Sequence, residues 1–558
     1  MGKKYSVGLD FGTESGRAVL ANVSNGQIIA TSVFPYTNGV MDERLPGSDF
    51  ALEPNWALQD PNDYLNTIKV TVPAVIKESG VDPVDVVGIG IDFTACTMMP
   101  TTADGTPFAF LPRWRKNPHA WVKLWKHHAA QPEADRINET ARKMGGLFLP
   151  RYGGKYSSEW FFSKALQILD EAPEIYQAAG RLIEAADWVV WMLTGVEKRS
   201  ECIAGYKAMW EKSSGFPEKA FFKALDPRME NIVDEKMSRK LYPLGARAGG
   251  LTQEAAEWTG LIPGTPVAIA NMDAHVSVPA CTVTEPGRMV MIMGTSTCHM
   301  VLGNQQKIVE GMCGVVEDGF IPHSFGFEAG QSCFGDHFAW FTEHCIPSGY
   351  EEAARSRGLS IHEYLEEKAE KLKPGETGLL ALDWWNGNRS ILVDADLTGV
   401  LLGATLATKP EEIYRALIEA TVYGTRIIIE AFEKSGVPIN ELVACGGLPE
   451  RNKLLMQILS DVTGREIRIS ASSQTSALGA AMYGSVAAGS EFGGYDTIFD
   501  AAAQMARLSD VVYKPNQANS ILYDQLYAEY ATLYNYFGRG TNDIMKRLLA
   551  LKAKVRNS

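Results

Sequence analysis

A short segment near the start of the chain combines an aspartate with a glycine-rich turn. Residues 8–17 read GLDFGTESGR, and Asp10 ends an apolar run that predicts a buried strand. Backbone N–H groups and hydroxyls in such a turn can approach phosphate oxygens closely, because glycine adds no side chain. Asp10 would repel phosphate directly, so its useful partner would be Mg²⁺, held through water. The alternative is an ordinary hairpin in which Asp10 caps the turn.

The same strand–turn–strand pattern returns near residue 290. Residues 289–302 hold two apolar runs around the turn Gly294-Thr295-Ser296-Thr297. Two lobes that each carry such a hairpin could face each other and hold a polyphosphate between them. The alternative is a coincidence of two ordinary hairpins. The chain contains no G-x-x-x-x-G-K-[ST] sequence, which disfavours a P-loop fold.

Asp273 is the candidate general base. It follows an apolar run, residues 266–272, and precedes small residues that predict the start of a helix. A carboxylate there can accept the proton of a sugar hydroxyl while the oxygen attacks phosphorus, and phosphoryl transfer otherwise needs mainly alignment and charge neutralisation. The alternative for Asp273 is a plain helix N-cap. From spacing alone the N-cap is the better reading.

In these segments the chain resembles the FGGY carbohydrate kinases, a family within the actin, Hsp70 and hexokinase superfamily. The resemblance implies an ATP-dependent sugar kinase with an α/β fold of two lobes and a cleft between them. It assigns catalysis to Asp273 and Mg²⁺, through water, to Asp10. The residues that it assigns to ATP are Gly12, Thr13, Glu14, Gly294, Thr295, Ser296, Gly446, Gly447 and Arg451.

The adenosine part of that assignment depends on residues 444–452, which read ACGGLPERN. In the family, the two glycines lie between a strand and a helix, and here Gly446 and Gly447 match them. Without side chains they let adenine and ribose lie against the backbone. Two glycines before a helix are weak evidence alone. Their order after two phosphate turns makes them strong evidence.

Two family signatures give an independent check. Residues 399–419 follow one of them, except that Ala404 stands where a larger aliphatic residue is usual. The other signature is a lysine and tryptophan motif after a proline. Lys155 and Trp160 stand in that region, but their spacing is two residues too long, which leaves the role of Lys155 in doubt.

The sugar is predicted from three segments, residues 91–97, 204–210 and 325–332. They are similar to the branch of the family that phosphorylates ribulose, and they differ from the branches that act on xylulose or glycerol. Sugar sites need polar groups that hydrogen-bond several hydroxyls, since each buried hydroxyl left unpaired costs about 1–3 kcal/mol. Residues 383–390, which read DWWNGNRS, are similar to the same branch.

The resemblance assigns the sugar to four residues. Lys207 would donate to a sugar oxygen, Glu328 would accept from one, and the backbone at Ala95 would approach the chain, beside Asp273. The alternatives are a surface lysine for Lys207 and a helix-start residue for Glu328. The reaction implied is phosphorylation of L-ribulose, with tolerance of D-ribulose, to ribulose 5-phosphate in arabinose catabolism.

The elements that must position these residues are visible in the hydrophobic pattern. Strands are predicted at 5–10, 17–22, 28–35 and 86–92, with a helix at 61–79 and mostly helices over 117–258. A second alternation of strands and helices follows from residue 286 to 488. We therefore predict an N-terminal lobe over 1–284, a C-terminal nucleotide-binding lobe over 285–495 and a helical extension over 496–558 that packs on the second lobe.

Composition limits the partners. The formal net charge of -13 argues against a broad nucleic-acid surface, which needs a basic stripe to neutralise phosphates. Eight cysteines occur without a CxxC pair, which indicates scattered reduced thiols. No apolar run reaches membrane-spanning length, so we expect a cytoplasmic protein without a membrane partner. A homodimer is left open.

Two rival functions remain. Another pentulose or polyol kinase, such as a xylulokinase, would share the ATP site and differ around the sugar. An actin-like or Hsp70-like ATPase would share both phosphate turns but would need no base to activate a sugar. A metal enzyme is disfavoured, because His127, His128, His337 and His344 lack accompanying ligands at metal-binding spacing.

Overall fold

The structure is a computed structural model that describes residues 3–47 and 51–556. Residues 1, 2, 48–50, 557 and 558 lie outside it, so residue 1 of the predicted N-terminal lobe and residue 558 of the predicted extension are not described. Within the described ranges no helix combines the length and apolar character needed to cross a membrane.

The strands are short, and the central strands of the two large sheets have strongly buried side chains. In chain order they are β1 (Tyr5–Phe11), β2 (Ser15–Asn22), β3 (Ile28–Pro35), β4 (Leu58–Gln59), β5 (Val86–Phe93), β6 (Met98–Thr101), β7 (Val122–Lys123), β8 (Arg181–Glu184), β9 (Arg199–Ser200), β10 (Leu241–Tyr242), β11 (Arg247–Gly250), β12 (Pro266–Ala268), β13 (Asn271–Met272), β14 (Gly287–Met293), β15 (Thr297–Gly303), β16 (Gly314–Glu317), β17 (Phe325–Gln331), β18 (Leu380–Leu382), β19 (Val400–Leu402), β20 (Ile439–Cys445), β21 (Ile467–Ser470) and β22 (Leu508–Tyr513).

The helices cover the sheets and fill the space between them. In chain order they are α1 (Pro61–Ser79), α2 (Gln131–Lys143), α3 (Phe161–Glu171), α4 (Pro173–Ala178), α5 (Ala185–Thr194), α6 (Glu201–Lys207), α7 (Lys219–Leu225), α8 (Ile232–Lys236), α9 (Gln253–Thr259), α10 (Asp273–Ala280), α11 (Asp336–His344), α12 (Ser348–Ser356), α13 (Ile361–Ala369), α14 (Pro410–Lys434), α15 (Gly447–Arg451), α16 (Lys453–Thr463), α17 (Thr475–Ala488), α18 (Ile498–Met505), α19 (Gln517–Gly538) and α20 (Ile544–Arg556).

The two large sheets repeat one topology. The first has the order β3-β2-β1-β5-β12-β11, and the second has the order β17-β15-β14-β20-β21-β22. In both, the first three strands are antiparallel, the next two pairings are parallel and the last strand is antiparallel. β13 adds a short pairing to β5, and β16 extends the second sheet. The hairpin repeat predicted from the sequence is confirmed.

Helix α17 joins the two halves. It follows β21 of the second sheet in sequence but packs on β1, β5 and α10 of the first lobe. Glycines on the sheet allow this close approach: a Cβ at Gly90 would lie 1.7 Å from the Ala480 carbonyl oxygen, and one at Gly8 would lie 1.9 Å from that of Ala477. A helix that is apolar all round is expected to be buried, as α17 is. The contact fixes the strands that end at the candidate site.

The segment predicted as a helical extension differs from that prediction at β22. Residues Leu508–Tyr513 form an antiparallel edge strand on β21 and complete the second sheet. Beyond it, α19 packs on the second lobe through Tyr523, Tyr527, Tyr530 and Tyr534, which are buried in the same hydrophobic cluster as the second sheet. Leu508–Tyr513 reads LSDVVY, a short run with two β-branched valines that favours a strand, whereas the prediction for the tail was helical throughout.

Candidate active site

The first hairpin and the parallel strand β5 together bring two carboxylates side by side. Asp10 stands near the end of β1, directly opposite Arg17 on β2 and directly opposite Asp92 on β5. The Arg17 Nε lies 3.4 Å from the Asp10 Oδ2. Asp92 is fully buried, and among the described residues neither of its carboxylate oxygens receives a hydrogen bond. Burial, and then the charge of Asp10, raise the pKa of Asp92 well above its usual range.

Asp273 stands between the two hairpins. It opens α10 directly after β13, whose Asn271 pairs with Asp92 on β5. Its Oδ1 accepts a hydrogen bond of 2.7 Å from the backbone N–H of Ala274. Burial, and then the charge of Asp10, raise its pKa to about 7. Its charge also acts on the thiol of Cys298, on the second hairpin. A carboxylate with a pKa near neutrality is suited to general-base catalysis.

The first turn is held by backbone and side-chain contacts. The Gly12 N–H donates to the Ser15 carbonyl at 3.0 Å, which closes the turn. Trp125 donates its indole N–H to the Thr13 hydroxyl at 3.0 Å, and Gln59 donates to the Thr13 carbonyl at 2.7 Å. Thr13 is therefore fixed by two neighbours from the first lobe. Glu14 is exposed at the other end of the turn.

The second turn is closed in a similar way. The Gly294 N–H donates to the Ser296 carbonyl at 2.9 Å. The Gly294 and Thr295 carbonyls in turn accept hydrogen bonds from the backbone N–H groups of residues 334–336, just before and at the start of α11. Gly294 and Thr295 are exposed, as a turn that binds a ligand must be. These contacts fix the turn while leaving it open to the cleft.

Gly446 adjoins the second hairpin. It has a φ of 96°, and a Cβ there would lie 2.5 Å from the Met293 carbonyl oxygen. Only glycine fits such a position without strain. At Gly447, the first residue of α15, a Cβ would meet nothing within 4 Å. The predicted adenosine segment therefore begins beside the second phosphate turn, with open space over Gly447. Arg451 is exposed at the end of the same helix.

Lys207 and Glu328 form a buried ion pair. The Lys207 Nζ lies 3.2 Å and 3.0 Å from the two Glu328 carboxylate oxygens. Although burial alone would raise it, the pKa of Glu328 lies well below its usual range, because Lys207 and then His275 stabilise the carboxylate. Both alternatives from the sequence are wrong, since Lys207 is buried and Glu328 stands in the middle of β17. The sequence around either residue cannot show that the two lobes bring Lys207 and Glu328 together.

Ala95 lies half-buried in the loop that follows β5. The loop is fixed from below by Lys164, whose buried ammonium donates to the carbonyls of Cys96 at 2.5 Å and Leu124 at 2.7 Å. Cys96 has a positive φ of 56°. That the backbone at Ala95 borders the sugar stays a prediction. The structure carries Asp10, Asp273 and Ala95 at one edge of one sheet, because β1, β5 and β13 are parallel.

Lys155 lies away from this group. It is exposed, and its Nζ donates to the Val393 carbonyl at 3.0 Å, which links the two lobes at the surface. Trp160 lies at the start of α3, with its ring 5.5 Å from the Lys207 Nζ. Of the weak signature pair, only the tryptophan therefore adjoins the sugar segments.

Three further residues belong to the site and were not singled out from the sequence. Asp92 stands beside Asp10, Trp125 holds Thr13, and His275 lies with its Nε2 3.4 Å from the Glu328 Oε2. The signal for Asp92 was an acidic residue inside an otherwise apolar strand. His275 follows Asp273 by two residues, but its contact with Glu328 crosses between sequence-distant segments and leaves no local signal.

The donor chemistry at this edge fits Mg²⁺. The described residues hold no cluster of three or more histidine, cysteine or acidic side chains placed to ligate a metal directly. Mg²⁺ usually keeps several waters and binds one or two carboxylates together with substrate phosphates. Asp10, with the buried carboxyl group of Asp92 beside it, offers oxygen ligands of that kind. Asp10 holding the ion through water agrees with this arrangement.

Comparison with known proteins gives the family. The FGGY family of carbohydrate kinases matches with its N-terminal domain over residues 5–278 and with its C-terminal domain over residues 289–488. A protein named ribulokinase from Geobacillus thermodenitrificans (strain NG80-2) is 58% identical over 556 residues, which is 100% of this chain and 98% of that one. The chain belongs to the FGGY family of carbohydrate kinases. A ribulokinase from Mycolicibacterium smegmatis is 47% identical over 553 residues, covering 99% and 97% of the two chains.

Solved structures agree on the fold of this FGGY kinase. A xylulose kinase from Rhodospirillum rubrum superposes with a TM-score of 0.76 at 20% identity, covering 95% of this chain and 98% of that one. A gluconate kinase from Lactobacillus acidophilus gives a TM-score of 0.78 at 16% identity, covering 97% and 99%. The prediction of a two-lobed, actin-like α/β fold is confirmed. At these identities the likeness shows the fold alone.

Proposed function

We propose that this FGGY kinase transfers the γ-phosphoryl group of ATP to the 5-hydroxyl of L-ribulose, with D-ribulose as a second acceptor. The observation that carries the proposal is the position of Asp273, which opens α10 directly after β13, beside the strand β5 that carries Asp92. The charge of Asp10 in the first hairpin acts on this carboxylate, and its own charge acts on Cys298 in the second. The full-length relatives named ribulokinase support the choice of sugar. In this role the reaction would belong to arabinose catabolism, in the cytoplasm.

In the proposed reaction Asp273 accepts the proton of the sugar hydroxyl. The hydroxyl oxygen then forms its bond to the γ-phosphorus while the bond to the ADP oxygen breaks, so charge moves from acceptor to leaving group. The Lys207–Glu328 pair lies beside Asp273, since both of its charges act on that carboxylate. Glu328 can accept from one sugar hydroxyl and Lys207 can donate to a sugar oxygen, which orients the acceptor.

The two turns would hold the triphosphate. Gly12, Thr13 and Glu14 would present one turn, and Gly294, Thr295 and Ser296 the other, with their N–H groups and hydroxyls directed at phosphate oxygens. The nucleoside would lie over Gly446 and Gly447, with Arg451 at the edge. Bound Mg²⁺ would neutralise phosphate charge, and Asp10, with Asp92 beside it, would hold it through water. Closure of the lobes would exclude water from the transfer.

An acceptor panel tests this function. The purified protein is given ATP, Mg²⁺ and each of the four 2-ketopentoses, ribitol, glycerol or no sugar, and ADP release and the position of the phosphate are measured. We expect the highest kcat/KM with L-ribulose, phosphate on oxygen 5, and little ADP release without sugar. Highest kcat/KM with a xylulose or a polyol would establish the rival kinase instead. ADP release that no sugar stimulates would indicate an ATPase.

A further inference from the structure

Arg389 reaches the cleft from the second lobe, in the segment of residues 383–390 to which no role is assigned above. Its backbone is anchored on β17: the Ser390 N–H donates to the Gly330 carbonyl at 3.1 Å, and the Ser390 hydroxyl accepts from the Gly330 N–H at 3.2 Å. The side chain then crosses Gly330, where a Cβ would lie 3.2 Å from the Arg389 Cδ. Gly330 and Glu328 are two apart on one strand and so share a face.

The guanidinium of Arg389 has unused hydrogen-bonding capacity. Its side chain is 23% exposed, and its nearest carboxylate is Glu159 of the first lobe, at 3.7 Å between Nη2 and Oε1. That contact is too long for a hydrogen bond, and among the described residues none accepts a hydrogen bond from its five N–H donors. A planar fork of donors held in a largely buried position is suited to two oxygens of a ligand at once.

The surroundings of Arg389 belong to the sugar side of the cleft. The charged or titratable groups that act on it are Glu159, Cys313, Cys298 and Glu328. Its guanidinium lies 5.9 Å from the ring of Trp125, the residue that holds Thr13. The neighbouring Lys207 and Glu328 share their hydrogen bonds between each other and, in the proposed function, the sugar, whereas Arg389 has only the long contact to Glu159. The N–H groups of Arg389 are therefore available to donate to a ligand rich in oxygen atoms that binds between the lobes.

We propose that Arg389 binds the acceptor sugar, donating from its fork to two sugar oxygens, and that Glu159 positions the guanidinium from the opposite lobe. The inference rests on the proposed function, because it requires a sugar acceptor in this cleft. A residue of the second lobe that binds sugar and a carboxylate of the first lobe together ties sugar binding to closure of the lobes. Arg389 thereby determines affinity for the acceptor and leaves the ATP site unchanged.

The test measures the affinity for sugar separately from the turnover rate. In Arg389→Ala and Arg389→Lys we expect the KM for L-ribulose, and its Kd by calorimetry without ATP, to rise about 10- to 100-fold. The KM for ATP and the kcat at saturating sugar should stay within about threefold of the wild type. Lysine should not rescue, because it keeps the charge but loses the fork. Circular dichroism and Tm confirm that both variants fold.

Lys155→Ala is the matched control. Lys155 also links the lobes, through the Val393 carbonyl, but it is exposed and lies apart from the sugar segments. We expect its KM and Kd for sugar to match those of the wild type. This result would show that loss of a contact between the lobes does not by itself weaken sugar binding. Glu159→Gln should raise the sugar Kd less than Arg389→Ala does.

Three results would overturn the inference. The first is an unchanged sugar Kd in folded Arg389→Ala. The second is a fall in kcat with unchanged sugar KM and rescue by lysine, which would assign Arg389 to the phosphoryl group. The third is an equal rise in the Lys155→Ala control. Failure of the proposed function is distinguishable, since the wild-type protein itself would then fail to phosphorylate ribulose.

Discussion

The two hairpins at the cleft have the same topology but opposite chemistry. In the first, the ladder pair one step before the end is Asp10 opposite Arg17, and Asp92 stands beside Asp10 on the parallel strand. In the second, the equivalent pair is Ile292 opposite Cys298, with Cys445 on the parallel strand. Each of the three charged residues at these positions of the first sheet has an uncharged residue in its place in the second.

The two turns therefore share their backbone geometry and differ in the charge of the side chains next to them. Both turns close with a glycine N–H to a carbonyl two or three residues on, at 3.0 Å in the first and 2.9 Å in the second. Either turn can thus offer N–H groups to phosphate. Only the first places carboxylates behind its turn, where a metal ion and a general base are needed. In the proposed reaction the repeated fold would supply two phosphate-binding turns, and side chains at one end of the first sheet would supply the general base and the metal site.

Removing the carboxylate of Asp10 from the first hairpin should have the largest effect on activity among the variants that compare the two hairpins. For Asp10→Asn we expect kcat to fall about 10²- to 10³-fold, because a preorganised charge that supports phosphoryl transfer is lost. The Mg²⁺ concentration for half-maximal rate should rise as well. Steady-state kinetics over a Mg²⁺ titration measures both. A kcat within threefold of the wild type and an unchanged Mg²⁺ requirement would remove Asp10 from the metal site.

A carboxylate added to the second hairpin should weaken ATP binding because of its negative charge. For Ile292→Asp we expect the KM for ATP to rise about tenfold, since a carboxylate beside a phosphate turn, with no cation opposite it, repels the nucleotide. Ile292→Asn is the matched control with similar shape and no charge. The idea fails if the two variants have the same KM for ATP at low and high salt.

The raised pKa of Asp273 predicts a pH-dependent stability. Its pKa is about 7 in the folded protein and close to 3.8 in the unfolded chain, so between these values the folded state holds the proton more tightly. Ionisation therefore destabilises the wild type as pH rises from about 4 to 7, and the cost stays constant above that. Asp273→Asn, without ligands, should gain a few degrees in Tm at pH 8 and less at pH 5. A difference that is independent of pH would contradict the assigned pKa.

The smallest effects distinguish the two glycines of the adenosine segment. Gly446→Ala should lower the stability by about 1–3 kcal/mol, because its φ of 96° and the Met293 carbonyl at 2.5 Å leave no room for a Cβ. Gly447→Ala should keep the wild-type Tm, since its Cβ would meet no protein atom within 4 Å. Only the KM for ATP should rise, several-fold. A wild-type KM in Gly447→Ala would place the nucleotide elsewhere.

Sequence reasoning worked best where the chain is locally periodic. The bounds predicted for α1 and β3 agree with the structure, and β1, β2 and β5 are each one or two residues longer than predicted. The hairpins were visible because a glycine-threonine turn between two apolar runs is a local signal. β22 was missed because a six-residue strand in a helical tail competes with stronger helical patterns on both sides.

Contacts between distant segments could not be predicted in the same way. Lys207 and Glu328 were each expected to touch sugar, but that they satisfy each other depends on two segments 121 residues apart. Asp92 is a single acid in an apolar run, and its relation to Asp10 exists only through the register of two parallel strands. Arg389 lay in a segment recognised by likeness, and its position over Gly330 depends on the loop that carries it.

The central claim is that one carboxylate between two phosphate turns takes the proton from the sugar. Its most direct test is a rapid-quench, single-turnover measurement of L-ribulose 5-phosphate formation by wild type and Asp273→Asn, both saturated with ATP, Mg²⁺ and sugar. We expect the rate of the variant to fall about 10²- to 10⁴-fold while its Kd for ATP stays within a few-fold. A transfer rate close to that of the wild type would contradict the account.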